Sequence, residues 1–334
     1  MTTHDISARM TGTGTAHEPI GDLIQGCQVA QALKQIGDRW SLLIVRDLFL
    51  GRHRFEDLRR HTDAARSTLT NRLNALQQSG IVRKIPYQSS PRRYEYHLTE
   101  KGTSLYPLAL MAWRWEHDWS NAENSGVPER LVHRGCGQAM LPELRCRHCR
   151  ELIAIRDVSY ATTPGMTRAK PAHPLFQRRS QTKSSYAESV DTRFFHLADV
   201  IGDRWTGLVL AALFFGLRRY DEFNSALGIA TNILAHRLKL LCATGIANRV
   251  AIRQRPTRYQ YLLTAKGRDL YGPTLLMHQW ADRWIANPGQ RLLQLTHQNC
   301  GRPLHGIVVC SSCEKQLKPG HVQLQDASSD SAGR

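Results

Sequence analysis

The chain has 334 residues, 41% hydrophobic and 22% charged, with a formal charge of +17 at neutral pH. This composition argues against a wholly disordered chain, and the absence of any uninterrupted apolar run near the roughly 18 residues needed to cross a bilayer argues against a membrane protein. At about 150 residues per domain the length predicts two domains. The charge exceeds what solubility requires and predicts a polyanionic partner, nucleic acid ahead of acidic lipid.

Residues 1–19 are rich in Thr and Gly, hold a single Arg and lack an apolar core segment, so they read as a disordered tail and not a signal peptide. The compartment expected from this is a reducing cytoplasm, where the eight cysteines stay thiols and any regular spacing among them is better explained by metal than by disulfides.

The next feature along the chain is a duplication. Ile-Gly-Asp-Arg-Trp occurs at residues 36–40 and again at 201–205, an offset of 165 that also relates Phe55 to Tyr220, Arg72 to Arg237, Gly80 to Gly245 and Tyr94 to Tyr259. Roughly a third of the positions in 36–102 have an identical partner at this offset without a gap. The chain therefore divides into a first unit at 20–122 with a Cys/His segment at 123–160, a basic proline-containing linker at 161–187, and a second unit at 188–287 with its own Cys/His segment at 288–320. Residues 321–334 read as a second disordered tail.

Within a unit, Asp38 can cap a helix running from 40 to 50 and ending at Gly51, followed by a short helix at 54–60. A helix at 67–78 carries Leu69, Leu73 and Leu76 on one face and stops at Gly80. Strands are predicted at 81–87 and 94–98 around a Ser-Pro-Arg-Arg tip, and a closing helix at 99–119 carries Trp115 and Trp119, repeated as Trp280 and Trp284. Helices followed by a basic hairpin describe a winged helix-turn-helix. The fold class predicted is mainly α with small β-hairpins, as two tandem winged helices each followed by a zinc-knuckle-like segment.

These residues resemble the HxlR-type winged-helix transcriptional regulators of bacteria. The resemblance rests on Cys27 opening a helix, the Gly-Asp-Arg-Trp helix start, Arg-Phe-Glu-Asp-Leu at 54–58, the recognition helix at 68–80 and Pro-Arg-Arg-Tyr-Glu-Tyr at 91–96. It covers about residues 27–119 and again about 192–284. It implies a dimeric DNA-binding regulator, usually a repressor, with one winged helix per chain. This chain departs by holding two, with Thr192 in place of the cysteine and Thr257 in place of the first wing-tip arginine.

With the leucines facing the core, the opposite face of the first recognition helix presents Ser67, Asn71 and Asn74 with Thr70 at its edge, and that of the second presents Asn232, His236 and Lys239. Such groups can read bases in the major groove, or can form an ordinary solvated face. Arg72 and Arg237 border the leucine stripe, where either a phosphate contact or an ion pair within the domain suits them. The wing tips offer Arg92 and Arg93 in one copy and Arg253, Arg255 and Arg258 in the other for backbone or minor-groove contact. Arg59, Arg60, His61 and Arg66 surround the first turn where the second copy has Asn224, Ser225, Ala226 and Thr231, so the first copy is expected to be the stronger DNA anchor.

After each closing helix comes a constellation of HxxC, nine residues and CxxC: His133, Cys136, Cys146 and Cys149, then His297, Cys300, Cys310 and Cys313. Read as two sets, one per copy, each offers a closed tetrahedral shell for a structural Zn2+ ion. The alternative is metal-free thiols or occasional disulfides. Cys27 stands where the resemblance implies an oxidant- or electrophile-sensing thiol in some relatives, and a packing cysteine is the other reading.

The function expected is that of a sequence-specific transcriptional regulator acting on double-stranded DNA as a covalent pseudo-dimer. Two chains could also associate through the Trp-bearing closing helices. A partner- or ligand-binding adaptor with only nonspecific DNA affinity is the other class, and a Cys27-based redox-sensing regulator a further variant. An enzyme is not expected, because the chain carries no HExxH, P-loop, dinucleotide-binding glycine motif or nucleophile elbow.

Overall fold

The computed structural model of the chain describes residues 10–12, 20–119, 130–162, 195–254, 257–286 and 293–325. Strand β1 (Thr11–Gly12) is followed by helices α1 (Ile20–Gly26) and α2 (Gln28–Ile36). The Asp38 carboxylate then accepts a hydrogen bond from the Ser41 amide at 3.0 Å and caps α3 (Arg39–Phe49), satisfying an amide that a helix start leaves without an internal acceptor. Helices α4 (Phe55–Thr62) and α5 (Arg66–Gln78) form the helix-turn-helix. Leu69, Leu73 and Leu76 are buried at helical spacing and dock α5 against the core. Gly80, at φ 69°, turns the chain into the wing, β2 (Val82–Ser89) paired antiparallel with β3 (Arg92–Leu98).

The single closing helix expected at 99–119 is instead two, α6 (Glu100–Thr103) and α7 (Tyr106–Trp119). Pro107 has no amide to give the Thr103 carbonyl, so the break falls one turn before the proline. The first Cys/His segment supplies β4 (Arg130–His133), β5 (Gln138–Met140), β6 (Pro142–Cys146) and β7 (Val158–Thr162).

The second copy repeats this order as α8 (Phe195–Ile201), α9 (Arg204–Phe214), α10 (Tyr220–Leu227), α11 (Thr231–Ala243), β8 (Ala247–Gln254), β9 (Thr257–Leu263), α12 (Ala265–Asp269) and α13 (Tyr271–Trp284). Pro273 again follows the broken turn by the same interval, four residues after Asp269. The second segment gives β10 (Leu293–His297), β11 (Arg302–Pro303), β12 (Gly306–Cys310) and β13 (Val322–Gln325).

The two Cys/His segments are interleaved. Strand β6 pairs antiparallel with β12, β4 with β13, and β7 with β10, so in each pair one strand comes from each copy. The Cys/His segments repeat at an offset of 164, as in Cys146 and Cys310, and the register of β6 and β12 places Leu144 opposite Val308, its counterpart at that offset, so the local two-fold passes through this strand pair. Both tails expected to be disordered contribute structure: Met10 is buried and β1 pairs with β7, while β13 pairs with β4, in each case because an open sheet edge has backbone groups to satisfy. Ala161 and Thr162, expected in the linker, belong to β7; residues 163–187 lie outside the described residues.

The winged-helix copies meet about the same two-fold. The Trp115 indole N–H donates to the Lys266 carbonyl at 2.9 Å, and the Trp280 indole N–H donates to the Lys101 carbonyl at 3.0 Å. Each lysine ammonium also lies near the opposing indole ring, Lys266 at 5.1 Å and Lys101 at 5.4 Å. Asp38 and Asp203 form an antiparallel backbone bridge, and Gly202 permits it, since a Cβ there would stand 2.7 Å from the Arg39 nitrogen. Trp115 and Trp280 are thereby buried. On the closing helices, Trp115 and Trp280 are thus engaged within the chain, while Trp119 and Trp284 are half-buried.

Candidate nucleic-acid interface and metal clusters

Each recognition helix presents the face expected of it. On α5, Arg66, Ser67, Thr70, Asn71 and Asn74 are exposed, and on α11, Asn232, His236 and Lys239 are exposed. Arg72 lies with its Nε 3.2 Å from Asp38 Oδ1, and Arg237 with its Nε 2.7 Å from Asp203 Oδ2, so both arginines form the intradomain ion pair of their two alternatives. The aspartate of the Gly-Asp-Arg-Trp repeat thus does two tasks: it caps the helix and tethers the recognition helix behind it. Sequence reading found the first and left the second open.

The basic cluster around the first turn is less free than its composition implies. Glu56 takes Arg59 at 2.8 Å and Arg66 at 2.6 Å, and those hydrogen bonds hold its carboxyl below the ordinary range. In the wing, Arg92 and Arg93 are exposed, and the Tyr94 ring is flanked by Lys84 at 4.0 Å and Arg92 at 5.4 Å. Arg258 is exposed in the second wing, where Arg249 lies 3.5 Å over Tyr259. Arg255 and the side chain of Arg253 lie outside what is described. Lys84 and Arg249 were missed as wing cations; the signal was a basic residue on one strand diagonal to a tyrosine on its partner.

Cys27 sits at the start of α2 with only 2% of its surface exposed, and its thiol donates to the Ile24 carbonyl at 3.1 Å. Burial pushes its pKa up. This is the setting of a packing cysteine, since a reactive thiol requires access and thiolate character. Its counterpart Thr192 lies outside the described residues.

The eight Cys/His residues come together, but not in the sets expected. His133 and Cys136 join Cys310 and Cys313, and His297 and Cys300 join Cys146 and Cys149. The within-copy sets are therefore corrected: each HxxC meets the CxxC of the other copy. The cause is strand geometry. Extended strand β6 carries Cys146 away from Cys136 and, by pairing with β12, delivers it beside Cys300, with Sγ atoms 4.0 Å apart; Cys136 and Cys310 lie 3.9 Å apart. Imidazole Nδ1 of His133 is 3.4 Å from Cys136 Sγ and 3.3 Å from Cys313 Sγ, and that of His297 is 3.5 Å from Cys300 Sγ and 3.3 Å from Cys149 Sγ.

Within each cluster the ligand atoms lie within 4.8 Å of one another, and either cluster could hold a metal ion. No disulfide links them, since a disulfide requires about 2.05 Å between sulfurs. The CxxC turns are built alike, with Arg150 and Glu314 in the left-handed conformation at φ 66° and 53°. Burial raises the pKa of Cys146, but the amides of Cys149 and His148 donate to its sulfur and hold it below the ordinary value. Amides of Ser312 and Cys313 point in the same way at Cys310, where burial prevails and the thiol is raised.

A helix-turn-helix with an exposed polar recognition helix, followed by a basic hairpin and present twice, defines a DNA-binding transcriptional regulator of the winged-helix class. The chain belongs to the HxlR-like helix-turn-helix family, whose model matches residues 35–124 and 200–288. It is similar to an HTH-type transcriptional regulator of Mycobacterium tuberculosis, 38% identical over 141 residues that cover 42% of this chain and 89% of the relative. A regulator of the same description from Methanothermobacter thermautotrophicus is 36% identical over 117 residues, covering 34% of this chain and 88% of the relative. A transcription-factor structure from Pseudomonas aeruginosa is 32% identical, covers 41% of this chain and 93% of its own, and has a TM-score of 0.33. Among the described residues, no helix is long and apolar enough to cross a membrane.

Proposed function

We propose that this chain is a sequence-specific, DNA-binding repressor in which two winged helices act as a covalent pseudo-dimer on one asymmetric operator in the cytoplasm. The observation that carries the reading is the reciprocal seam, Trp115 with Lys266 and Trp280 with Lys101, which holds two exposed recognition helices in one two-fold arrangement. A two-fold pair of readers matches two half-sites, and differing readers match differing half-sites. It works as a binding protein and not as an enzyme; repression is the regulatory sense that the family resemblance supports. The exposed residues of α5 and α11 read bases, and Arg92, Arg93 and Arg258 contact backbone or minor groove.

Zn2+ is the metal that fits the clusters. Three thiolates and one imidazole suit its preference, and tetrahedral bonds of about 2.3 Å to sulfur and 2.0 Å to nitrogen place sulfurs about 3.8 Å apart and sulfur about 3.5 Å from nitrogen, against 3.9 and 4.0 Å and 3.3 to 3.5 Å here. Four protein ligands close each shell, so the role is structural.

Selection of the purified chain against a random duplex pool at near-physiological salt tests the first reading. Recovery of one motif with two dissimilar half-sites supports it, and recovery of nothing but salt-labile binding refutes it. Metal analysis tests the second, with two zinc ions per chain expected.

A further inference from the structure

Because each cluster draws its ligands from both copies, metal in either one joins the two halves of the molecule. The joined strands are tied in turn to the helices that carry the seam. Gly306, opposite Cys146 in the β6–β12 pair, is held by Gln279 of α13 through two hydrogen bonds, its amide donating to Oε1 at 2.7 Å and its carbonyl accepting from Nε2 at 3.1 Å. The next residue, Trp280, donates to the Lys101 carbonyl in the opposite copy, and the Lys101 ammonium donates to the Ser79 carbonyl at 2.8 Å, at the C-terminal end of recognition helix α5. The other half repeats the start of this route: Arg114 of α7 donates to the Pro142 carbonyl at 3.3 Å, Pro142 lies opposite Cys310, and neighbouring Trp115 donates to Lys266.

We infer that zinc in the two shared clusters gates DNA binding, by fixing the β6–β12 pair and through it the placement of the two recognition helices. The inference rests on the zinc and DNA-binding readings above and adds a regulatory role to a structural metal. Zinc entry displaces the protons of three thiols at each site, and the resulting thiolates more than neutralise the cation, so occupation requires reduced cysteines and no other reactant. With the metal gone, neither cluster joins its two segments, the strand pair loses its lock, and the recognition helices no longer present one fixed spacing to the duplex. The favoured geometry is then only one of several, and affinity falls with its population.

The test compares the full chain loaded with zinc, stripped by chelation under reducing conditions, and reloaded. Hydrogen exchange is read at residues 76–80, at the end of α5, and affinity is read on the duplex recovered by selection. Expected on stripping are ~10-fold or faster exchange at these amides and an affinity loss of ~10-fold or more, both reversed by zinc. A chain that binds two zinc ions and the duplex but shows the same exchange and affinity in both states overturns the inference while leaving both earlier readings intact. A chain that binds no zinc overturns it together with the zinc reading, and leaves the DNA reading to its own selection experiment.

Should stripping unfold the chain, two double variants separate the cases. Cys136→Ser with Cys313→Ser strikes one shared cluster and is expected to retain one zinc and an intermediate affinity. Cys136→Ser with Cys149→Ser strikes both and is expected to retain neither. The reverse zinc counts would place each ligand set within one copy and overturn the coupling. Trp280→Phe removes the indole N–H from the route; it is expected to keep two zinc ions while exchange at 76–80 loses its response to them, and an undiminished response overturns this route.

Discussion

Replacing Asp47 by alanine removes the anion from a buried cluster that only the first copy possesses. Asp47 Oδ1 lies 2.7 Å from Arg46 Nη2 and 3.1 Å from Arg52 Nη1, with side-chain exposures of 0%, 6% and 21%. At this distance and an effective dielectric of about 20, the closer ion pair contributes about 6 kcal/mol of attraction. Desolvation costs several kcal/mol for each buried ion, so the intact cluster nets little. Burial indeed holds the Asp47 carboxyl above its ordinary range although both arginines pull it down. Asp47→Ala leaves Arg46 without its carboxylate and is expected to lower stability by about 3–5 kcal/mol. The second copy shows the apolar solution at the same positions, Ala211, Ala212 and Leu217, all buried. The triple change Arg46→Ala, Asp47→Ala and Arg52→Leu is therefore expected to stand within about 1 kcal/mol of the starting protein or above it. Urea denaturation followed by circular dichroism at fixed zinc concentration reads both. A single variant that loses under about 1 kcal/mol, or a triple variant less stable than the single one, would refute the reasoning. The pH dependence has a definite sign. A carboxyl that titrates higher when folded keeps its proton longer in the folded state, so stability relative to the triple variant falls as pH rises from 3.8 through the raised folded value.

Changing Arg92 and Arg93 together to alanine is expected to weaken duplex binding and to flatten the dependence of log affinity on log salt by about 1.8, at about 0.9 for each phosphate no longer neutralised; an unchanged slope in a salt titration rules the wing out as a phosphate binder. A cavity of about 60 Å3 lies between α3, α7 and α8, lined in part by Ala112 and Ala198. The corresponding positions across the two-fold are filled by Met277 and Leu33. Ala198→Leu is therefore expected to raise stability by about 1 kcal/mol, read as a shifted urea midpoint, and a drop in stability would mean that the space is needed by moving neighbours.

The winged helices were legible in the sequence because each of their elements is specified locally. Asp38 caps, three leucines repeat at helical spacing, Gly80 turns, and the wing strands flank a short tip. The Cys/His clusters were legible as residue types and spacing, yet their membership was not. HxxC and CxxC are the same motifs in both copies, so ligand count and spacing fit either pairing. What decides between them is that β6 is extended and pairs with β12, a contact between residues more than 150 positions apart. The buried setting of Cys27 and the structured ends at β1 and β13 were hidden for a similar reason: each depends on a partner distant in the chain.

Three pairs of positions in the seam between the halves are shared by the copies: Asp38 and Asp203, Lys101 and Lys266, Trp115 and Trp280. The positions that face outward on the recognition helices are not shared. Ser67, Thr70, Asn71 and Asn74 correspond to Asn232, Ala235, His236 and Lys239. In a dimer of identical chains every substitution appears in both halves, so the readers cannot diverge while the seam stays symmetric. Covalent fusion removes that constraint, and in this chain the seam carries two helices whose exposed faces differ. Grafting the first reader onto the second, by Asn232→Ser, Ala235→Thr, His236→Asn and Lys239→Asn, leaves the leucines of α11 and the Arg237 tether in place. Selection with the grafted chain is expected to recover a more nearly palindromic site, with the half-site of α5 appearing twice and its spacing unchanged. Recovery of the same asymmetric motif as before would show that the exposed face of α11 does not read bases, and would place the sequence preference elsewhere.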